Sequence, residues 1–196
     1  MAKRAPITPL RPKPDKIIAS ISYLIRTAGE QGLEITQYDI VKSLFLADKA
    51  HLNRYGRPIT FDNYTAMENG PVPTTSYNFL KRDNYCMQAF RIKDFPWKST
   101  PAPYISKQAE VFSLKEKETD LNALSESDIE ELHSALMRVK ELGFNQVRSL
   151  THTDPAYLEA WDENSSQRSF SMSLSLLFEK PNEDEARNLE FLSKHS

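Results

Sequence analysis

At 196 residues, the chain is long enough for one domain that buries roughly 70% of its unfolded surface, so it can hold a core without covalent staples. A single cysteine, Cys86, excludes an internal disulfide and a thiolate metal cluster, and with neither a charged-then-apolar leader nor an apolar run near the ~20 residues of a membrane span, a cytoplasmic address is expected. Its 25 basic and 27 acidic residues, a formal net charge of −2, give no global attraction to nucleic acid or anionic membrane.

The first 14 residues place Lys3, Arg4, Arg11 and Lys13 among Pro6, Pro9, Pro12 and Pro14. That composition predicts a flexible, basic, partly polyproline arm over 1–14. Helical spacing then begins. Ile17, Ile18, Ile21, Leu24, Ile25 and Ala28 recur at three- and four-residue steps, with Asp15 as the expected cap and Gly29 and Gly32 as the stop. Thr36-Gln37-Tyr38-Asp39 has the form of a capping box, opening a longer helix with Ile40, Val41, Leu44, Phe45, Leu52 and Tyr55 as its apolar set.

From Ala50 to Arg82 the pattern reads as helix, turn, helix. Tyr55-Gly56-Arg57-Pro58 stops the first helix, because glycine takes the left-handed conformation and proline cannot continue the ladder. Asn69-Gly70-Pro71-Val72-Pro73 makes a second stop. Pro73 is then placed to start a helix through Tyr77, Phe79 and Leu80 to about Asp83.

Between Tyr85 and Lys117 the apolar groups are short. Cys86, Ala89-Phe90, Ile92 and Phe95, then Val111, Phe112 and Leu114, separated by Pro96, Pro101 and Pro103, predict two strands of a small hairpin with a long connection from Trp97 to Gln108. Ser125-Glu126-Ser127-Asp128 is another capping box, for a helix through Ile129, Leu132, Ala135, Leu136, Val139 and Leu142 that Gly143 closes. A helical turn over Asn145 to Leu150 follows, and Asp154-Pro155 caps a segment ending at Trp161. Phe170, Met172, Leu174, Leu176 and Phe178 alternate with strand period, against a serine-capped short helix through Leu177; the helix is preferred. An acidic C-terminal piece, 181–196, carries a final helix over Glu183 to His195.

Two blocks of this sequence resemble the Panacea domain, the SocA-like antitoxin family also found among phage-associated proteins. The first runs from Leu44-Phe45-Leu46-Ala47-Asp48 through His51, Tyr55-Gly56-Arg57-Pro58-Ile59-Thr60, Asp62, Tyr64, Ala66-Met67 and Gly70-Pro71-Val72-Pro73 to Tyr77. The second is Leu150-Thr151-His152-Thr153-Asp154-Pro155-Ala156-Tyr157. Lys49 and Ala50 stand at positions often charged in the family, and the segment 84–122 carries no family signature. The resemblance implies a mainly α domain with a small β element, an α+β helical bundle with one short hairpin, over residues 15–180. It also prefers the helix for the 170–178 stretch.

Asp48 and His51 stand three apart and share a helix face, a spacing that permits a common metal ion or an acid–base pair. They also lie in line with Leu44 and Tyr55. Polar groups in an apolar stripe pair with each other or with a neighbour, so structural pairing is preferred and Arg57 is the expected partner of Asp48. A metal-dependent enzyme would have to be built from Asp48, His51 and His152, with Asp154 beside them. Arg57 and Asp62 are expected to brace a turn, Met67 to fill the core, and Cys86 to behave as a small buried hydrophobe. No serine sits in a nucleophile elbow, no glycine-rich loop could cradle phosphates, and no basic stripe interleaves with aromatics. No cofactor, metal or catalytic residue is therefore expected.

What the resemblance implies is binding without turnover: an antitoxin that neutralises a cognate protein toxin by direct contact. The alternatives are an adaptor that delivers the toxin to a protease, and a phage-associated regulatory or DNA-binding protein. Asp48, His51, Tyr55, Gly56, Arg57, Pro58, Asp62, Met67, Gly70, Pro71, Val72, Pro73, Tyr77, His152, Asp154 and Pro155 are then family-motif residues with structural or partner-binding roles. Partner contact is expected from the proline-rich arm and the segment 84–122, with Phe90, Phe95, Trp97, Tyr104 and Phe112 as its anchors; no membrane or nucleic-acid partner is expected.

Overall fold

Helix α1 (Pro14–Glu30) opens with Pro14 in its first turn and Lys13 as the extended N-cap residue, while Asp15, expected as the cap, lies inside the first turn, where its charge favours the helix N-terminus. The computed structural model describes residues 5–116 and 120–195. Lys3 and Arg4 of the expected arm, residues 117–119 of the segment 84–122, and Ser196 lie outside them. The described part of the arm packs on the domain: Leu10 is buried, the Leu10 amide donates to Asn63 Oδ1 at 2.8 Å, and the Lys13 amide donates to the Thr60 carbonyl at 3.1 Å.

Helix α2 (Gln37–Tyr55) starts at the expected capping box, with both Thr36–Asp39 bonds present, and ends at Gly56 with φ 78°. No second helix follows directly. Strands β1 (Tyr64–Met67) and β2 (Gly70–Pro73) pair antiparallel in register Tyr64 with Pro73 through Met67 with Gly70. The helix–turn–helix reading is thus corrected by a hairpin, and its prolines explain why: β2 is the edge strand of the order β2-β1-β5, where a missing N–H leaves the ladder intact. Helix α3 (Thr74–Leu80) begins one residue after the expected Pro73.

The segment 84–122 departs from its two-strand reading at its start. Residues around Cys86 form helix α4 (Asn84–Ala89), whose Cys86 amide donates to Asp83 Oδ1 at 2.8 Å; this side-chain cap outweighs the short apolar run. Strands β3 (Trp97–Pro101) and β4 (Glu110–Leu114) then make a hairpin whose second strand falls where expected but whose first lies in the stretch from Trp97 expected as the connection, and a bridge from Val111 to Thr36 ties it to the start of α2.

Helix α5 (Glu126–His152) carries the expected capping box at Ser125 and Asp128, and Gly143, with φ 67° and ψ 177°, breaks it as expected into two arms, the second of which covers the expected helical turn over Asn145 to Leu150, so that α5 is bent at Gly143. Asp154 caps helix α6 (Pro155–Ala160) as expected. The stretch after it is neither one strand nor one helix. It gives β5 (Phe170–Ser171), which pairs with β1, and then a 3-10 turn over Leu174–Leu176. Helix α7 (Glu183–His195) closes the chain. The fold is mainly α with a small β element, with two hairpins among the described residues where one was expected. Among the described residues no helix is long and apolar enough to cross a membrane.

Two apolar clusters meet at α2. Ile17, Ile21, Leu24, Leu44, Phe79, Trp97, Leu132 and Leu136 belong to the first, and Phe45, Leu52, Tyr64, Tyr157, Phe170 and Leu189 to the second. Each fully buried side chain of this size contributes roughly 1.5–3 kcal/mol. Helix α2 is therefore enclosed: Ile40, Val41, Lys42, Ser43, Leu44 and Phe45 are buried in succession. A lysine and a serine in that run are polar groups with no route to water.

Candidate functional site

The residues of the two motif blocks converge on α2, and each charged one is spent on a neighbour. Past Gly56 the chain turns back along the helix and delivers its amides to Asp48. The Ile59 and Thr60 amides donate to Asp48 Oδ1 at 2.8 and 3.0 Å, and Tyr64 OH and Thr60 Oγ1 donate to Oδ2, the former at 2.7 Å. Arg57 is not the partner of Asp48. Burial pushes the Asp48 carboxyl up to about 6, and the Thr60 and Tyr64 hydrogen bonds oppose that rise.

Arg57 instead reaches the start of α5, where it meets Asp128 Oδ1 at 2.9 Å and also donates to the Pro58 carbonyl. Lys16 approaches the other Asp128 oxygen at 2.5 Å, and His51 Nε2 lies 3.1 Å from Oδ1. Asp128 is fully buried. Burial works to raise its carboxyl, yet Lys16, the Ser125 amide and Arg57 hold it below the usual carboxylate range. His51 Nδ1 meets the Arg57 carbonyl at 2.8 Å and Nε2 meets Ser127 Oγ at 3.0 Å; burial lowers its imidazole. One carboxylate thus gathers α1, the end of α2 and the start of α5. Sequence reading saw Asp128 as a cap alone and missed Lys16, because neither neighbourhood contains the other.

Asp62 does not brace a turn with Arg57. It caps α3 from outside: the Thr75 and Ser76 amides donate to it at 2.9 and 2.7 Å, and Ser76 Oγ donates at 2.8 Å. Pro73, the N-cap residue of α3, has no side-chain oxygen for that task.

The hairpin turn lies against α5 and over Lys42. Gly70 has φ 98°, and a Cβ there would stand 2.6 Å from Thr151 Oγ1 and 3.0 Å from Lys42 Nζ. Lys42, which is 1% exposed, donates to the Pro71 carbonyl at 2.7 Å and lies over the Tyr38 ring. His152 packs its ring on Tyr157 at 4.4 Å, with Nε2 buried and without a hydrogen-bond partner. Burial, then Arg148 and Lys42, lower its imidazole. Tyr157 OH donates to the Met67 carbonyl at 3.0 Å, and burial raises its phenol to about 12. Lys42 was missed because the apolar stripe of α2 was read as one face, whereas the helix is enclosed.

Burial pushes the Lys42 ammonium down to about 7 from 10.5. The unfolded chain therefore binds this proton through the window from about 7 to 10.5 while the folded one does not, so stability rises with pH across it. We predict that Lys42→Met is more stable than the parent near neutral pH and lacks that rise. Urea midpoints at pH about 7 and about 9 measure both, and equal slopes in parent and variant would refute the assignment.

Asp154 Oδ1 accepts from the Ala156 amide at 2.9 Å, and Oδ2 holds Lys49. The structure does not join Asp48, His51, His152 and Asp154 into one site, and no metal-holding group of three or more His, Cys, Asp or Glu exists among the described residues. Beside the Lys49–Asp154 pair lies a groove of about 730 Å³, between α2 and the two arms of the bent α5, floored by Leu46 and Ala50.

The expected anchors divide by burial. Phe95, Trp97 and Phe112 are 2%, 0% and 4% exposed. They are core residues, not contact residues: Phe95 stacks on Trp97 at 4.7 Å and packs on Phe79. The β hairpin uses its aromatics to cover α1 and α3, which leaves them no surface. Phe90 is half-buried against Phe79, while Tyr104 is 70% exposed. Tyr104 OH donates to Glu34 at 2.6 Å, and Phe144, half-exposed just past the bend, packs on Tyr38. Tyr104 and Phe144 therefore both attach to the stretch 34–38, with Leu33 and Ile105 exposed beside them in sequence.

The model of the family described as Antitoxin SocA-like, Panacea domain, matches residues 40–157, from the first turn of α2 to Tyr157 in α6. No curated protein and no solved structure matches the chain.

Proposed function

Because the chain belongs to the SocA-like antitoxin family with its Panacea domain, we propose that it neutralises a protein toxin by direct binding. The observation that carries this reading is how the matched residues are used. Asp48, His51, Arg57, Asp62 and Asp154 are each committed to internal partners that tie α2 and the loop after it to the hairpin, α3, α5 and α6. They serve the frame, and partner contact is left to the surface. Exposed aromatics supply the usual anchors of a protein interface, since a large ring buries much area at small entropic cost. Tyr104, in the segment that the family pattern leaves free, and Phe144 are the anchors we assign.

Co-expression with the product of the neighbouring reading frame tests this, scored for rescued growth and for co-purification. A stable complex is expected. Replacing Tyr104 and Phe144 together by alanine should weaken it by at least about tenfold with unchanged melting, because both side chains are exposed. Rescue without any complex would favour delivery to a protease, and no rescue would remove the antitoxin reading.

A further inference from the structure

We infer that the groove in the elbow of α5 seats a short segment of the toxin that carries an acidic and a basic residue on either side of an apolar middle; this rests on the antitoxin reading above. The groove exists because Gly143 bends α5. Its walls are the arm before the bend, with Ala135 and Arg138, and the arm after it, with Leu150 and Thr151, while α2 supplies the floor. Ala50 keeps that floor low and Ala135 keeps the facing wall small, so another chain can approach closely, and about 730 Å³ holds several side chains.

The charges of the groove select among occupants. Asp154 is held by Lys49 and by the start of α6, and Glu131 by Arg54. Arg138 and the Glu179 carboxylate have no hydrogen-bond or ion-pair partner among the described residues. They stand at opposite ends. Helices α2 and α5 run antiparallel, as the pairs Arg54–Glu131 and Asp39–Lys140 require, which sets Arg138 beside the Leu46 end of the floor. Glu179 is fixed at the other end, where its amide donates to Asn53 Oδ1 at 2.7 Å. Seven residues of helix separate Leu46 from Asn53, roughly 10 Å of rise. A segment with its acid toward Arg138 and its base toward Glu179 satisfies both ends. A uniformly acidic or basic one does not.

The experiment uses the full chain co-expressed with the product of the neighbouring reading frame. Ala50→Trp should fill the groove and Arg138→Glu should give it two acidic ends, and each should lower affinity for that product at least about tenfold with melting near the parent's. Arg138 is exposed, so its variant remains informative if Ala50→Trp unfolds. A charge-reversing substitution on the toxin that restores binding to Arg138→Glu would identify the paired acid. If the parent binds and both folded variants bind equally well, the groove assignment fails while the antitoxin reading stands. Should the parent not bind at all, neutralisation by direct binding fails, and the groove assignment that rests on it fails with it. Were Ala50→Trp to change only the oligomeric state of the chain alone, the occupant would be a second copy, and the toxin-seat assignment would be overturned.

Discussion

Gly70→Val should unfold the hairpin's seat on α5 and lower the melting temperature on the order of 10 °C. Two costs add. At φ 98° an L side chain is strained by about 1–2 kcal/mol, and the new Cβ would lie 2.6 Å from Thr151 Oγ1. That hydroxyl cannot retreat freely, because it donates to the Val147 carbonyl at 3.0 Å inside the helix. Lys42 Nζ, the next atom met, is tied to Pro71. Overpacking of this kind costs about 1–3 kcal/mol. Gly56→Ala is the control: its φ is also positive, but a Cβ there meets nothing within 4 Å. Thermal unfolding of both variants should therefore separate strain alone from strain with collision. Loss of toxin binding in Gly70→Val with unchanged melting would instead make the turn an interface.

Asp48→Ala should cost about 3–5 kcal/mol in denaturant unfolding, because it leaves two amides and two hydroxyls buried without their acceptor. Asp48→Asn should also destabilise. Its amide presents hydrogens where the site already points donors. The pH dependence of the parent follows from the raised carboxyl. Folded protein holds this proton to about 6 and the unfolded chain only to 3.8, so the folded state binds more protons in between. The contribution of Asp48 to stability therefore falls as pH rises from 3.8 to about 6 and is constant above. The difference between parent and Asp48→Asn should show that slope. A flat difference, or an alanine variant within about 1 kcal/mol of the parent, would show that the loop amides find other acceptors.

The two capping boxes at Thr36 and Ser125, the stop at Gly56, the Asp154-Pro155 start and the last helix were all legible in the sequence. Each depends on residues within four positions of one another, so the backbone reads them before any tertiary contact forms. The motif residues were legible as words too, and they fall inside the matched span 40–157 except for the neighbours that complete them. Their partners were not legible. Asp48 could be paired with Arg57 on proximity in sequence, yet the fold gives Asp48 the amides of the returning loop and sends Arg57 to Asp128, 71 residues away. Tertiary structure alone decided that pairing. It also decided that the Gly70-Pro71-Val72-Pro73 stretch is a strand, since its extended backbone is compatible with a turn until β1, itself held by β5 from the far end of the chain, offers a ladder. Burial of Trp97 and Phe112 was decided the same way: an aromatic in a short strand can face either side, and which side meets α1 and α3 depends on how the hairpin docks, through Thr36 and Val111, with Phe95, just before the strand, following Trp97 into the core. Local hydrogen-bond chemistry thus wrote the helices into the sequence, whereas the charges, the hairpin and the groove at the bend exist only once distant segments share one core.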